Sequence, residues 1–545
     1  MSQIAGLQDF RQEGPPADIG TFQLPCSVMV FQHTFAGTTY ICAVRSGVRG
    51  WVLVDYGTDA STVIQAAVAL GGNTLVRSGS YTINTSILIQ GVNNVVFEGE
   101  GWRSTRLVAG GADVNVILIG DRVNVAKVSR NIIVRGFYID GTAQTTETVP
   151  PEVNDRRFGI EIAAPATTNV DCLIEKNYLY STGSDSIYGY QAQRCIIQNN
   201  IVEGARAYWA GIHVHGSPND SEILGNILFN CNCSGIRHGH IISGNRVQDC
   251  YLGGATGGIE AGIVGAIDAI IADNWIENND EIAIRTFDVR NLVIGNFARS
   301  RYGSLASILV EGDAHHAIID NTVNELDRCI ALLVRNSVGV IVEGNSFKTV
   351  GRQGIVIRGS QKCIVSNNYI YAAGRQTNNT YDAILLDDYN ATHSISNIIT
   401  GNQIWSDQAN LPRYGINEAT ADQNYNIIKN NIVANAATTR IRPLGPNTRL
   451  EDNDGYNPVG NIATPYPAGA GYLLDVAAAQ AFPTSNTNYT VGQSPKFITI
   501  YGGTVTSISI DGVATGLTSG GFYLKVGQIL NVVWTGQPSS QVYAV

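Results

Sequence analysis

One asparagine recurs down this chain at a spacing too short for a domain and too regular for chance. It stands at Asn177, Asn200, Asn226, Asn245, Asn274, Asn296, Asn321, Asn345, Asn368, Asn402 and Asn431, in steps of 19 to 34 residues. Three positions before it comes a branched apolar residue, as in Ile174, Ile197, Ile223, Val293 and Val365. Two positions after it comes a second apolar slot, as in Leu179, Val202, Leu228, Val247 and Phe347, with Ala298 its weakest member. A unit of this length cannot bury its own apolar face and must stack on its neighbours, which is the logic of a solenoid. The apolar runs are short, rich in Ile and Val, and bounded by Gly, Asn, Asp and Ser, so the units are built of strands.

Three short strands per coil, with Asn at a fixed corner, resemble the right-handed parallel β-helix of the pectate-lyase-like superfamily. The resemblance covers roughly residues 59–455. Stacked amides at that corner can hydrogen-bond along the stack and tolerate the left-handed backbone that a sharp corner needs. The expected fold is therefore all-β: a right-handed parallel β-helix with one N-terminal capping helix and a small C-terminal antiparallel β domain. Residues 1–58 read as a β-rich cap with three strands. Residues 59–70 read as a helix capped by Asp59 or Ser61, with Val63, Ala67 and Leu70 on its apolar face. Coils fill residues 59–456, residues 457–471 are a Pro- and Gly-rich linker, and residues 472–545 form a sandwich-like β domain. A helix over the first coil would protect an open sheet edge.

With a net charge of −10 the chain is a poor nucleic-acid binder. It has no apolar run long enough to span a bilayer, so no membrane insertion is expected. The N-terminus lacks a basic, apolar leader, which points to a removed signal or to a virion component released by lysis. Cys172, Cys195 and Cys363 sit five residues before the ladder Asn, and Cys231 and Cys250 five after it. Stacked, buried free thiols are the expected state, with a disulfide between adjacent coils the minority alternative.

Function is expected on the third strand of each coil, where residues after a Gly alternate inward and outward. One outward column reads Glu161, Tyr188, His213, Arg237, Glu260, Ala283 and Leu309. The next reads Ala163, Tyr190, His215, Gly239, Gly262, Arg285 and Glu311. Trp209 adjoins them. Long insertions at residues 141–158, 372–382 and 406–413 precede the third strand and should wall a groove. The first carries Glu147, Glu152, Asp155 and Arg156.

A groove of aromatic and charged side chains suits an extended polysaccharide. Tyr188, His213, His215, Arg237 and Glu260 are the candidate catalytic residues. Glu161, Tyr190, Trp209, Arg285 and Glu311 are the candidate substrate contacts. The proton-abstracting chemistry of a lyase or epimerase on an acidic polysaccharide fits best, with His or Tyr as base and Arg as charge stabiliser. Glycoside hydrolysis is the alternative: Glu260 and Glu311, about 10 Å apart, would be a marginal inverting pair, with Asp185 or Glu152 as further carboxylates. A third reading is a non-catalytic glycan binder, a tailspike-like protein or adhesin of viral origin. The chain lacks the acidic and RxK elements of polygalacturonases, the DPHE-like string of alginate epimerases, and the acidic calcium cluster of pectate lyases. No cofactor is expected, Ca2+ being the ion such a groove would take. The expected setting is extracellular or a virion surface, and the expected assembly a homotrimer. Removal of Tyr188 or His213, as outward residues, is expected to cost little stability.

Overall fold

The computed structural model describes residues 27–47, 50–146, 157–207, 209–215, 220–250, 261–265, 267–279, 282–287, 289–300, 305–312, 315–324 and 328–454. Towards the C-terminus it describes 488–490, 496–501, 504–524, 529–536 and 539–544. Glu147, Glu152, Asp155, Arg156, Glu260 and the expected linker at 457–471 lie outside the described residues. The chain is an all-β parallel β-solenoid of about 13 turns. It divides into two compact units, residues 1–351 and 352–545.

In the first unit each coil contributes a strand to each of three parallel sheets. The slot before the ladder Asn stacks in one register, Val134, Ile174, Ile197, Ile223, Ile242, Ile271, Val293, Ile318 and Val342. The slot after it stacks as Ile139, Leu179, Val202, Leu228, Val247, Ile276, Ala298, Val323 and Phe347. All these side chains are buried, and they form the apolar column that no single coil could enclose alone.

The corner between those sheets is a hydrogen-bonded amide ladder. Asn200 Oδ1 accepts from the Asn177 backbone N–H (3.0 Å) and Nδ2 (3.1 Å). Asn200 Nδ2 in turn donates to the Ile174 carbonyl at 2.9 Å. The pattern repeats coil by coil to Asn345. At its start the Phe137 N–H donates to Asn177 Oδ1 (3.1 Å).

The left-handed residue of the corner is not the ladder Asn, as expected, but the residue before it. Lys176, Asn199, Asp273 and Asp320 take φ of 52 to 55° there, and Gly fills the same position at 225, 244, 295 and 344. The amide must point inward to bond its neighbours, so the sharp bend falls one residue earlier, where the side chain is free to face solvent.

The N-terminal strands Val28–Phe35, Thr38–Gly47 and Gly50–Gly57 pair antiparallel, and the first also pairs in parallel with Asn73–Val76. The helix spans Ala60–Val68, with Asp59 accepting from the Thr62 N–H. Ser61 instead receives the N–H groups of Asn84 and Thr85. Val63, Ile64, Ala67 and Val68 make the buried face, whereas Leu70 lies beyond the helix and is exposed, correcting its expected place on that face.

The second unit carries its own ladder from Asn368 through Asn402 and Asn431 to Asn453. Its C-terminal part holds a four-stranded and a three-stranded antiparallel sheet. Ile500 and Leu524 of one pack with Ile508, Leu530 and Val532 of the other. Cys172, Cys195, Cys231, Cys250 and Cys363 are free and buried, as small hydrophobes are.

Candidate active site on the third sheet of the first unit

The third-sheet strands Ile160–Asn169, Ile187–Gln193, Ala210–His215 and Ser234–Arg237 lie side by side. Their register stacks Glu161, Tyr188, His213 and Arg237 in one column, and Ala163, Tyr190 and His215 in the next, as the alternation requires. Beyond Arg237 the expected column breaks. Its neighbour is Val264, followed by Arg285 and Leu309. Val264 takes the place expected of Glu260, which lies outside the described residues, and Arg285 sits in the first column, not the second.

The segment 257–264 offers two Gly-Ile pairs, and the strand uses the later one. Ala261-Gly262-Ile263-Val264 repeats the pattern of Ala210-Gly211-Ile212-His213 and Ser234-Gly235-Ile236-Arg237. The Gly is steric: a Cβ at Gly235 would lie 2.4 Å from Val247 Cγ1, and one at Gly262 2.6 Å from Ile276 Cγ2.

The outward column is buried, which overturns the expectation of a solvated face. Tyr188 is 3% exposed and His213 1%. Phe158 stacks on Tyr188 with ring centroids 4.6 Å apart. The Arg122 guanidinium lies over Tyr190 (5.0 Å) and Tyr188 (5.4 Å) and pairs with Glu161 at 2.7 Å. Glu161 also accepts from Asn115 Nδ2 at 2.6 Å. Removing the His213 or Tyr188 side chain outright would therefore open a cavity, at about 2–5 kcal/mol.

Glu161, Tyr188, Tyr190, Trp209, His213, His215 and Arg237 come together in one cluster. The His213 ring lies 5.3 Å from Tyr188, 5.5 Å from His215, 5.3 Å from His238 and 6.3 Å from Trp209. Arg237 stacks on Trp209 at 4.2 Å. Arg285 and Glu311 form a different group: Glu311 bridges Arg285, at 3.1 Å, and Arg335. His238, directly after the strand Ser234–Arg237, is also part of the cluster.

Asp185, at the foot of the strand carrying Tyr188, organises the centre. Fully buried, it accepts from the Ala210 N–H at 2.9 Å and faces His213 Nδ1 at 3.1 Å. Burial pushes its pKa up to about 7 despite those N–H donors and Arg237. Burial, then Arg237 and His215, hold the His213 pKa well below that of a free imidazole. His215 is lowered for the same first reason, with Arg237 and Arg122 adding to it, and His238 falls to about 2. Burial raises Glu161 although Arg122 opposes the shift. At neutral pH the imidazoles are uncharged. Nε2 of His213, buried, has no hydrogen-bond partner in the described structure.

Asp185 had only its carboxylate as a sequence signal. Arg122 and Asn115 flank the strand Ile117–Gly120, whose alternation was the one clue to them. Among the described residues, only Asp388, His393 and Asp422, in the second unit, gather metal-ligand atoms closely. His393 Nδ1 there already bonds Asp388.

The chain belongs to the right-handed beta helix region family, whose description matches residues 158–299 and 306–510. No curated protein matches the sequence significantly. Among solved structures it is similar to the pre-mature gene product 12 of bacteriophage phi29, at 14% identity over 74% of this chain and 56% of that one, with a TM-score of 0.54. It is also similar to tailspike protein 3 of bacteriophage CBA120, at 9% identity over 89% of this chain and 72% of that one (TM-score 0.46). The A-module of mannuronan C-5 epimerase AlgE6 from Azotobacter vinelandii is 16% identical over 73% of this chain and 96% of that one (TM-score 0.39). At such identities the likeness speaks for the fold alone.

Proposed function

We propose that the first unit acts on an acidic polysaccharide as a lyase or epimerase, outside the cell or on a virion surface. The observation that carries this reading is the buried Asp185–His213 pair with an unpartnered Nε2. Burying a carboxylate and leaving an imidazole nitrogen unbonded both cost stability, so the arrangement is unlike packing for its own sake. Ionised Asp185 accepts the Nδ1–H of His213 and leaves Nε2 free to take a proton. The bond broken is the C–H next to the sugar carboxylate, and its electron pair moves into that carboxylate. Arg237 offsets the charge that develops. For an epimer, His213 keeps that proton and the Tyr188 hydroxyl gives its own to the opposite ring face; for elimination, the neighbouring C–O bond breaks. In that case the leaving oxygen takes a proton from the Tyr188 hydroxyl, and an unsaturated uronate remains.

The test is incubation with polyuronates and with neutral glycans in D2O. We expect deuterium at the carbon next to the carboxylate, or ultraviolet absorbance of unsaturated ends. Turnover should fall about 100-fold in His213→Ala and Tyr188→Phe. Turnover should rise with pH through about 7, as Asp185 ionises and frees Nε2. New reducing ends without unsaturation would replace this reading with hydrolysis. The near-complete burial of His213 and Asp185 favours a second reading, a glycan binder without turnover. Under it the same substitutions weaken binding and no product forms.

A further inference from the structure

The second unit holds a cluster that the proposed chemistry does not use, on its own third sheet. Strands Tyr414–Glu418 and Thr439–Arg442 pair in parallel, setting Thr439 beside Tyr414 and Arg442 beside Asn417. Two guanidinium groups lie against the Tyr414 ring, Arg413 at 4.9 Å and Arg442 at 5.1 Å from its centroid. Their charges are handled differently. Arg413 grips the buried Asp382 with two bonds, of 2.9 and 2.8 Å. Arg442 has no carboxylate partner among the described residues, so its charge is uncompensated.

Two buried oxygens beside it also lack partners. Asn417 is 1% exposed; its Nδ2 donates to Asp382 Oδ2 at 2.8 Å, and its Oδ1 accepts nothing. Thr439 Oγ1 is likewise unbonded. A buried acceptor without a donor is costly, and native interiors rarely tolerate one. The corner thus offers a free cation, an acceptor awaiting a hydroxyl, a hydroxyl and an aromatic ring. Together these match a ligand carrying an anion, hydroxyl donors and an apolar C–H face.

We propose that this corner is a binding site for an acidic sugar residue. The sugar's carboxylate pairs with Arg442, a ring hydroxyl donates to Asn417 Oδ1, a second meets Thr439, and the C–H face lies against Tyr414. Arg413 is not a ligand; locked to Asp382, it holds the Tyr414 ring in place. Binding here requires no turnover in the first unit.

The experiment is calorimetric titration of the full chain with oligogalacturonate and oligomannuronate of about six units, and with maltohexaose as the neutral probe. Arg442→Ala should remove one binding event per chain for the acidic oligomers, or weaken it at least tenfold. Binding of the acidic oligomers to the wild-type chain should weaken with salt. Arg442→Gln, which keeps the stem over Tyr414, reads the same loss should the Ala variant fail to fold. Unchanged stoichiometry and affinity in the Arg442 variants would overturn the proposal, as would equal binding of maltohexaose. Polyuronate bound but never transformed would remove the lyase or epimerase reading and leave this site standing. Polyuronate transformed by a chain whose Arg442 variants bind as wild type would do the reverse.

Discussion

Asp185 keeps its carboxyl where water cannot reach it, and that has a cost that depends on pH. Its pKa in the folded chain, about 7, lies above the ordinary 3.8. Between those values the folded state holds a proton that the unfolded state has shed. The contribution of Asp185 to stability is therefore greatest in acid and is lost as pH rises towards 7. Asp185→Asn, which cannot ionise, should be more stable than the wild type by a few kcal/mol at pH 8, and the gain should vanish near pH 4. Denaturant melts at both pH values measure this; an equal gain at both would show that burial does not raise the carboxyl's pKa. The Asn amide cannot carry the aspartate's charge, so the same variant should lose turnover. Such an exchange of stability for activity is common at active sites. At this scale the sequence showed which residue types were outward, and Glu161, Tyr188 and His213 do share one column. It did not show that they are covered. The cover is Phe158 and Arg122, in segments outside the repeat, and a side chain without periodicity leaves no pattern to read.

The coil is the next scale, and its corner is its most demanding part. Asn245 accepts from Asn226 with Oδ1 and donates through Nδ2 to Ile223, Ser243 and Asn274. Asn245→Leu strands donors and acceptors in two neighbouring coils at once. We expect a loss of about 3–5 kcal/mol, since each buried orphan costs about 1–3. A melting temperature equal to the wild type's would mean that the ladder is incidental. These corners were legible because every coil must satisfy the same backbone groups with the same amide. The third strand was legible only while its coil had a single Gly-Ile pair. Between Asn245 and Asn274 the sequence supplies two, Gly258-Ile259 and Gly262-Ile263, and the strand takes the later one, where a Cβ on Gly262 would crowd Ile276. That choice puts Val264 in the column, the next strand puts Arg285 there in place of Ala283, and Leu309 keeps its expected place.

For the molecule as a whole, association is the open quantity with a direct measurement. Ile227 and Trp275 stand 42% and 46% exposed on the second sheet of the first unit, and Trp275 stacks on Phe297 at 4.2 Å. Exposed apolar groups of this size are available for contact between chains. We expect a homotrimer, with a light-scattering mass three times that of the chain at micromolar concentration; a single-chain mass would remove the idea. The ladder has a further consequence for the history of such a chain. Only the corner is fixed, while the steps between ladder residues range from 19 to 34. Length can therefore be gained or lost between corners, or by whole turns from one Asn to the next, without disturbing the spine. One edge of the stack is tied to a repeated amide, while the opposite edge is free of that constraint. New loops, and with them new specificities, can accumulate on the free edge while the fold stays as it is.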